Sequence, residues 1–318
     1  MIALIPWFDI PIFELGDLIP GIPPNIALHG FGLLVALGFV FGGMAAKWRA
    51  DRYGLDSSAI DRLITWLIIG TFIGGHVGYG LMYKPGEYFA DPVKFLYFWE
   101  GLSSFGGFVV CVPLAVYFFY REKLPLWPYL DCLAYGLAIG WFLGRMGCFV
   151  AHDHPGSETD FLLGVYCRPV AGHIIDLPGW LVAGDGSAMR PWGPCADNGA
   201  IDAVHDTGLY EALWSLVMFG VLNLIDRVRT VPGTLTLTYG LAYGPVRFMT
   251  DFLRPESTDP RVFGFTPAQW WASVFTLVCL AALYWRLQSK DEPLVPVDEA
   301  SPAKQPPDEP DDAPAPSS

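Results

Sequence analysis

Two arginines lie inside long apolar stretches of this chain, where a charged side chain is costly. Arg145 stands in "GWFLGRMGCF" and Arg247 in "YGPVRFMTDFLRP". Asp251 follows Arg247 by four residues, so these two could form a structural ion pair on one helix face. Arg145 has no acidic residue within the preceding turn. An intramembrane arginine needs a partner, and a guanidinium binds phosphate through two parallel hydrogen bonds. Arg145 is therefore predicted to line a cavity between helices that receives an anionic group.

A group of titratable residues follows Arg145 directly. The segment "AHDHPG" contains His152, Asp153 and His154. A histidine beside a carboxylate can accept a proton near neutral pH, which makes these three residues catalytic candidates. Alternatively, Asp153 caps the end of a helix and the segment is a polar turn that binds no metal. The sequence leaves both interpretations open.

Further polar residues accumulate towards the same side of the apolar stretches. His76 lies among glycines in "GTFIGGHVGYG", and His29 lies at the edge of the first apolar stretch. Intramembrane histidines more often form hydrogen bonds between helices than catalyse, but both are candidates for substrate binding. Arginines and histidines at a membrane edge suit a phospholipid, with its anionic head and apolar tails. The group comprises His29, His76, Ser103, Ser104, Arg145, His152, Asp153, His154, Glu211 and Arg254.

Membrane helices are the elements that must position these residues. Hydrophobic residues make up 53% and charged residues 16% of the 318 residues, whereas soluble domains average about 25% charged residues. A helix needs roughly 20 apolar residues to cross the hydrocarbon core. The chain is thus predicted to be an all-α polytopic membrane protein. Its seven predicted spans are residues 27–46, 60–83, 102–120, 129–150, 208–225, 234–253 and 267–287.

The distribution of basic residues predicts the orientation of the spans. Basic residues concentrate in alternate loops, and the loops between them carry more acids. Because cytoplasmic loops are enriched in Lys and Arg, the N-terminus is predicted to be extracytoplasmic and the C-terminus cytoplasmic. The residues used are Lys47, Arg49, Arg52, Arg62, Arg121, Lys123, Arg227, Arg229, Arg286 and Lys290.

The predicted spans divide the chain into two parts. Residues 1–288 form the transmembrane domain, in which residues 151–207 make an extracytoplasmic loop that forms a small cap. Residues 289–318 are acidic and proline-rich, which is typical of a disordered tail. The N-terminal segment has no basic region and no small-residue cleavage site, so a cleaved signal peptide is not expected.

Cysteine spacing and charge exclude several classes of site. The six cysteines form no Cys-x-x-Cys pair and no zinc-site spacing, so neither a metal nor a cofactor is predicted. Cys167 and Cys195 share one polar loop and could pair in an oxidising compartment, a question that stays open here. The net charge of −13 argues against nucleic-acid binding. The sequence contains no G-x-S-x-G, H-E-x-x-H or phosphate-binding-loop motif.

Several segments, in order along nearly the whole chain to about residue 287, resemble the bacterial prolipoprotein diacylglyceryl transferases. The opening segments are "WFDIPIFELG" and "IALHGFG", followed by "GGHVGYGLMY" and "FADPVKFLYFWEGLSSFGG". The central and late segments are "GRMGCF", "LYEAL", "YGPVRFMTDFLRP" and "TPAQWWAS". Each segment alone is a weak signal, whereas their order and spacing together are specific.

The resemblance implies a reaction and a set of residues. In this family, the diacylglyceryl group of phosphatidylglycerol passes to the cysteine thiol in the lipobox of a secreted precursor, and glycerol phosphate leaves. The resemblance implies that Arg145 holds the lipid phosphate and that Arg247 stabilises the leaving group or gates the site. Asp153 and Gly156 align with an acidic residue and a glycine of the family. The implied location is the bacterial plasma membrane, and the implied partners are phosphatidylglycerol, the lipobox peptide and the bilayer.

The chain departs from the family pattern at four positions. Phe105 stands where the family usually has a histidine, Phe31 where it has a tyrosine, His76 where it has an arginine, and Cys148 where a polar residue is common. Phe105 cannot act as a base for the substrate thiol. These departures leave open a catalytically altered or inactive relative that binds phospholipid or lipoprotein precursors. A transporter of an anionic solute is a third hypothesis, supported only by the intramembrane arginines.

Overall fold

The computed structural model describes most of the chain and is dominated by long helices. The described residues are 5–8, 12–14, 27–97, 101–166, 174–175, 203–228, 230–255 and 261–297. Within these ranges the seven long helices are α1 (Gly30–Arg52), α2 (Ser58–Tyr83), α3 (Ser104–Glu122), α4 (Leu126–Val150), α5 (Thr207–Ile225), α6 (Thr234–Thr250) and α7 (Pro267–Leu287). Among the described residues, five of these helices are long and apolar enough to cross a membrane, namely α1, α2, α4, α5 and α7. The protein is therefore a largely helical polytopic membrane protein.

Each of the seven predicted spans coincides with one long helix, and the main differences lie at the helix ends. Helix α1 continues to Arg52, six residues beyond the predicted end of the span at residue 46, because Lys and Arg are good helix formers and Arg49 is buried against a partner. Helices α3 and α6 are 19 and 17 residues long. Helix α6 ends at Thr250 and continues as one 3-10 turn, Asp251–Leu253.

Helix α4, which carries Arg145, packs against α1 along a seam of glycines. A Cβ atom added to Gly38 would lie 2.9 Å from the carbonyl oxygen of Gly140, and one added to Gly42 would lie 2.8 Å from that of Gly136. Small residues of this kind let the backbones of membrane helices approach closely. Helix α4 also packs against α5 and α6, so it lies at the centre of the group of helices that carries the site.

The end of the bundle that is rich in basic residues is held by buried polar contacts. Arg49 is 3% exposed, and its Nη2 atom lies 3.0 Å from Oδ1 of Asp226 at the end of α5. Asp131 of α4 accepts hydrogen bonds from the backbone N–H groups of Gly233 at 2.7 Å and Thr236 at 2.9 Å. These contacts join α1, α4, α5 and the first turn of α6. Arg49 thus has a structural role as well as contributing to the basic end of the bundle.

Short strands lie at the opposite end of the bundle. Strand β1 (Trp7–Phe8) pairs in parallel with β6 (Ile174–Ile175), and β2 (Ile12–Glu14) pairs antiparallel with β3 (Ala27–His29). Strand β7 (Ala203–Asp206) lies between β4 (Pro155–Glu158) and β5 (Val165–Tyr166), antiparallel to both. This last sheet joins the end of α4 to the start of α5.

Two predictions fall partly or wholly outside the described residues. Cys167 and Cys195 lie in the undescribed parts of the loop between β5 and β7, and residues 298–318 hold most of the predicted tail. The disulfide and the disorder of the tail therefore stay predictions. The described start of the predicted tail, residues 289–297, follows α7 and includes Asp291, which forms an ion pair with Arg286 at 2.7 Å.

Candidate functional site

Arg145 forms an ion pair with a carboxylate from another helix. Its Nη2 atom lies 3.0 Å from Oε2 of Glu211 on α5, and its guanidinium carbon lies 5.0 Å from the ring centroid of Trp141. Arg145 therefore has an acidic partner, although no acid lies within the preceding turn of its own helix. Glu211 lies on another helix, 66 positions later in the chain, so the local spacing of residues around Arg145 could not indicate it. The Arg145 side chain remains 15% exposed while Glu211 is 2% exposed.

Arg247 approaches the same carboxylate from α6. Its Nη1 atom lies 2.9 Å from Oδ1 of Asp251, as the four-residue spacing predicts, and its Nε atom lies 3.9 Å from Oε1 of Glu211. Arg254 lies 3.6 Å from the same oxygen of Asp251, and the hydroxyl of Thr266 donates to the other oxygen. Asp251 is fully buried. Glu211 is thus shared by two arginines, and Asp251 holds the second of them in place.

Two aromatic residues complete this arrangement and were missed by the sequence analysis. The Tyr243 hydroxyl donates to Oε2 of Glu211 at 2.8 Å, and its ring packs edge-on against Trp141 with centroids 5.7 Å apart. Tyr243 precedes Arg247 by four residues, and Trp141 precedes Arg145 by four. This i, i+4 spacing on a helix places each aromatic ring on the same face as its arginine, so the spacing was the available signal.

The side chains of Arg145 and Arg247 are both partly exposed. The Arg247 side chain is 20% exposed, and a Cβ atom added to Gly144 would meet no atom within 4 Å. The close approach of α1 to α4 occurs one turn earlier, at Gly140. A group that carries negative charge can therefore compete with Glu211 for guanidinium N–H groups that remain partly accessible.

The structure separates the two histidines that follow α4. His154 forms a hydrogen bond through Nδ1 with the carboxylate of Asp153. His152 is 7% exposed, its Nε2 atom lies 2.9 Å from the carbonyl oxygen of Phe8, and its ring packs on that of Phe8. Its backbone φ of 50° turns the chain at the end of the helix. His154 is therefore the histidine that is paired with the carboxylate.

The pair formed by Asp153 and His154 lies beside Cys148 and hence beside Arg145. The Sγ atom of Cys148 and the ligand atoms of Asp153 and His154 all lie within 4.8 Å of one another. The same Sγ atom lies 3.9 Å from Nη1 of Arg145. One continuous site thus contains two arginines, the shared carboxylate, a thiol and a histidine–carboxylate pair.

Other predicted binding residues are placed differently. His76 is 2% exposed, and both ring nitrogens face backbone carbonyl oxygens, Gly101 at 3.1 Å and Lys94 at 3.0 Å. These contacts favour the structural interpretation of His76. His29 is exposed and precedes α1. A Cβ atom added to Gly156 would lie 2.6 Å from the carbonyl oxygen of Leu253, so this glycine permits β4 to approach the turn after α6.

The remaining candidate serines and two of the positions that differ from the family pattern lie near the starts of α3 and α1. The Ser103 hydroxyl accepts a hydrogen bond from the backbone N–H of Gly106 at 3.3 Å and caps α3. Phe31 is 39% exposed and lies beside Gly147 of α4. The side chains of Ser104 and Phe105 lie outside the described part of the chain.

The start of α5, which carries Glu211, is fixed by a buried carboxyl group outside the helix. Asp206 is 3% exposed and accepts a hydrogen bond from the backbone N–H of Leu209 at 2.8 Å. Burial raises the pKa of Asp206 to about 7, and the nearby charge of Asp153 acts in the same direction. An aspartate at this position satisfies one of the unpaired N–H groups of the first turn. Asp206 directly precedes the helix but was not among the residues predicted from the sequence.

The fold and the site together define a class of protein. It is a membrane protein in which the helices bring two arginines to one buried carboxylate. The sequence model of the family described as "Prolipoprotein diacylglyceryl transferase" matches residues 19–285. The chain belongs to the prolipoprotein diacylglyceryl transferase family. The resemblance inferred from the order of its motifs is thereby confirmed.

Curated relatives that this chain is similar to carry the name phosphatidylglycerol–prolipoprotein diacylglyceryl transferase. A relative from Cereibacter sphaeroides is 32% identical over 257 residues, which cover 74% of this chain and 81% of the relative. One from a Wolbachia endosymbiont of Drosophila simulans is 30% identical, with coverages of 72% and 78%. One from Haemophilus influenzae is 29% identical, with coverages of 80% and 84%.

Proposed function

We propose that this protein transfers the diacylglyceryl group of phosphatidylglycerol to the thiol of the lipobox cysteine of secreted prolipoproteins. A carbon–sulfur thioether bond forms, and the carbon–oxygen bond to the phosphate breaks, so that glycerol phosphate leaves with the bonding electron pair. The convergence of Arg145 and Arg247 on Glu211 carries the proposal, in a chain that belongs to this family. The reaction is a substitution at carbon, in which a carbon–oxygen bond is replaced by a carbon–sulfur bond. It therefore needs neither an oxidant nor a reductant.

The two arginines supply the charge neutralisation that the leaving group needs. The phosphate of the lipid replaces Glu211 as the partner of Arg145, whose N–H groups are partly exposed. Arg247, held by Asp251 at 2.9 Å, stabilises the negative charge that develops on the departing phosphate. Donors fixed before the reaction stabilise such charge better than water, which must reorient.

The pair formed by Asp153 and His154 handles the proton of the attacking thiol. A thiolate is the nucleophile, and a free thiol with a pKa of roughly 8.5 is mostly protonated at neutral pH. The Asp153–His154 pair lies within 4.8 Å of Cys148, which contacts Arg145. It is therefore close enough to a bound phosphate to act on a thiol that attacks the adjacent glyceryl carbon. His152 has a structural role in the same turn, because its Nε2 atom is hydrogen-bonded to the backbone carbonyl oxygen of Phe8.

The proposed setting is the bacterial plasma membrane. All seven long helices span the bilayer in this proposal, with the N-terminus and the strand-rich end extracytoplasmic and the basic end cytoplasmic. The lipid then enters from the outer leaflet, and the precursor is presented from the side where it has been secreted. Residues 151–207 form the cap over this end, and residues 289–318 extend into the cytoplasm.

The test is transfer of labelled glycerol from phosphatidylglycerol to a lipobox peptide by the purified protein. We expect label in the peptide with the wild type and none with Arg145→Ala. Complementation of a strain depleted of its own transferase provides the cellular test. Normal membrane insertion with neither transfer nor complementation would overturn the proposal in favour of a catalytically altered relative, for which binding of the labelled lipid without transfer is the expected result.

A further inference from the structure

One buried hydrogen-bond donor beside the arginine pair has no acceptor within the part of the chain that the structure describes. It is the indole N–H of Trp141 on α4. A buried N–H group without an acceptor is costly, and the hydrocarbon core of a bilayer offers no water to pair with it. Trp214 on α5 shows the usual arrangement, because its indole N–H donates to the carbonyl oxygen of Ala242 at 3.1 Å. The donor of Trp141 therefore indicates an acceptor that a bound molecule supplies.

Trp141 belongs to the site around Arg145. The guanidinium carbon of Arg145 lies 5.0 Å from the centroid of its ring, and the ring of Tyr243 packs edge-on against it with centroids 5.7 Å apart. Gly144 follows Trp141 by three residues, so the two are neighbours on the surface of α4. A Cβ atom added to Gly144 would meet no atom within 4 Å. The described residues thus leave the helix surface next to Trp141 uncovered, on the side where Arg145 lies.

The position of Trp141 along α4 indicates which part of a phospholipid lies beside it. Trp141 precedes Arg145 by four residues, and four residues of an α-helix rise about 6 Å. In the proposed orientation α4 runs towards the extracytoplasmic side, so Trp141 lies deeper in the bilayer than Arg145. A lipid of the outer leaflet whose phosphate binds Arg145 has its acyl ester groups at this greater depth, separated from the phosphate by the glyceryl unit. The carbonyl oxygens of these esters are acceptors, and an indole N–H is a donor only.

We propose that the indole N–H of Trp141 donates a hydrogen bond to an ester carbonyl oxygen of the bound lipid, and that Trp141 thereby selects diacyl lipids over dialkyl ether lipids. This inference rests on the proposed function, in which Arg145 binds the phosphate. In the structure the guanidinium of Arg145 lies over the indole ring and pairs with Glu211. When it turns from Glu211 to the phosphate, it uncovers the ring for the glyceryl esters. A dialkyl lipid has no carbonyl group at this depth and leaves the buried donor unpaired, which is the usual basis for rejecting such an analogue.

The first measurement compares transfer from two forms of phosphatidylglycerol that share the headgroup and the reacting carbon, one with acyl esters and one with alkyl ethers. Both are labelled in the glyceryl unit that passes to the lipobox peptide. We expect the wild type to favour the diester by about 10-fold, the effect of one hydrogen bond to a buried donor. Trp141→Phe keeps an aromatic ring beside Arg145 but has no N–H group, so it should lose this preference. The matched control Trp214→Phe should keep it, because the N–H group of Trp214 pairs with the protein itself.

The wild-type comparison tests the inference whether or not the variants fold. Equal transfer from the two lipids by the wild type would overturn the inference and leave the proposed function intact. The same conclusion would follow from an unchanged preference for the diester in a folded Trp141→Phe. That result would show that another group recognises the esters.

The second measurement follows lipid binding and does not depend on transfer. The indole N–H resonance of Trp141, identified as the signal that is absent from Trp141→Phe, is recorded in isotope-labelled protein in detergent while each lipid is added. We expect the diester to shift this resonance downfield, as a new hydrogen bond does, and the diether to bind without this shift. Binding of the diester that leaves the resonance unchanged would overturn the inference. The downfield shift in a wild-type protein that transfers neither lipid would overturn the proposed function instead.

Discussion

Arg145 of α4 and Glu211 of α5 form an ion pair 3.0 Å long at one end of the bundle. Glu211 also accepts a hydrogen bond from Tyr243 and lies 3.9 Å from Arg247. One buried carboxylate therefore holds two guanidinium groups in position before any substrate arrives. In the proposed function, the phosphate of the lipid replaces Glu211 as the partner of Arg145.

Replacing Arg145 should remove transfer without unfolding the protein. Arg145→Ala loses the group that is proposed to bind phosphate, and Arg145→Lys should rescue poorly, because an ammonium group cannot make two parallel hydrogen bonds to phosphate. We expect a loss on the order of 100-fold or more for both variants, measured as transfer from labelled phosphatidylglycerol. Arg121→Lys, on α3 at the basic end of the bundle, serves as the matched control. Near wild-type transfer by Arg145→Lys would contradict the two-pronged contact.

Replacing Glu211 should destabilise the protein through the arginines that it neutralises. Glu211→Gln can keep the contact with Tyr243 but leaves two guanidinium groups without their shared charge. Breaking a buried ion pair in this way costs about 3–5 kcal/mol, visible as a lower unfolding temperature in neutral detergent. Anionic lipid should recover more stability in the variant than in the wild type, because its phosphate can replace the missing carboxylate. The control Glu158→Gln alters an exposed acid and should have little effect on stability. Equal stability of Glu211→Gln and wild type would contradict the role of Glu211 as the shared partner of the two arginines.

The two histidines after α4 should respond differently to substitution. His154→Gln should lower the rate of transfer on the order of 100-fold or more, because it removes the group that is proposed to act on the thiol proton. His152→Gln should keep most of the rate but lose about 1 kcal/mol of stability, the value of one hydrogen bond, here the bond to the carbonyl group of Phe8. Rate and unfolding temperature are measured on both variants. Loss of transfer in His152→Gln together with near wild-type transfer in His154→Gln would contradict these roles.

Asp206 should make stability depend on pH. Its folded pKa of about 7 lies above the ordinary value of 3.8, so the folded protein favours the protonated form. The stabilisation is complete below the ordinary value and is lost as pH rises through about 7. Asparagine caps helices as well as aspartate does and carries no charge. Asp206→Asn should therefore unfold at a higher temperature than wild type at pH above 7, and the difference should shrink as pH falls towards 4.

The control for this prediction is an exposed acid in the same region. Asp160→Asn, at an exposed position, should show no such pH-dependent difference. A difference between Asp206→Asn and wild type that stays constant from acid to alkaline pH would mean that the two residues cap the helix differently for reasons other than charge.

Local sequence patterns predicted the helices well because apolar length and terminal residues are local properties. The pairing of Arg247 with Asp251 was likewise accessible, since both lie on one helix four residues apart. The partner of Arg145 was not, because Glu211 belongs to another helix and only the packing of α4 on α5 brings the two together. The same limit applies to Cys148, Asp153 and His154, whose proximity depends on the positive φ at His152. The different contacts of His152 and His154 could not be predicted either, because they depend on the direction in which the chain turns.

The glycine seam between α1 and α4 has a genetic consequence. Gly38 and Gly42 meet Gly140 and Gly136 with no room for a side chain, and α4 carries Arg145 and Cys148 at its far end. A random mutagenesis screen for lost lipoprotein maturation should thus recover alleles at these four glycines together with alleles at the charged residues. The glycine alleles would displace the arginine without altering any group that meets the lipid.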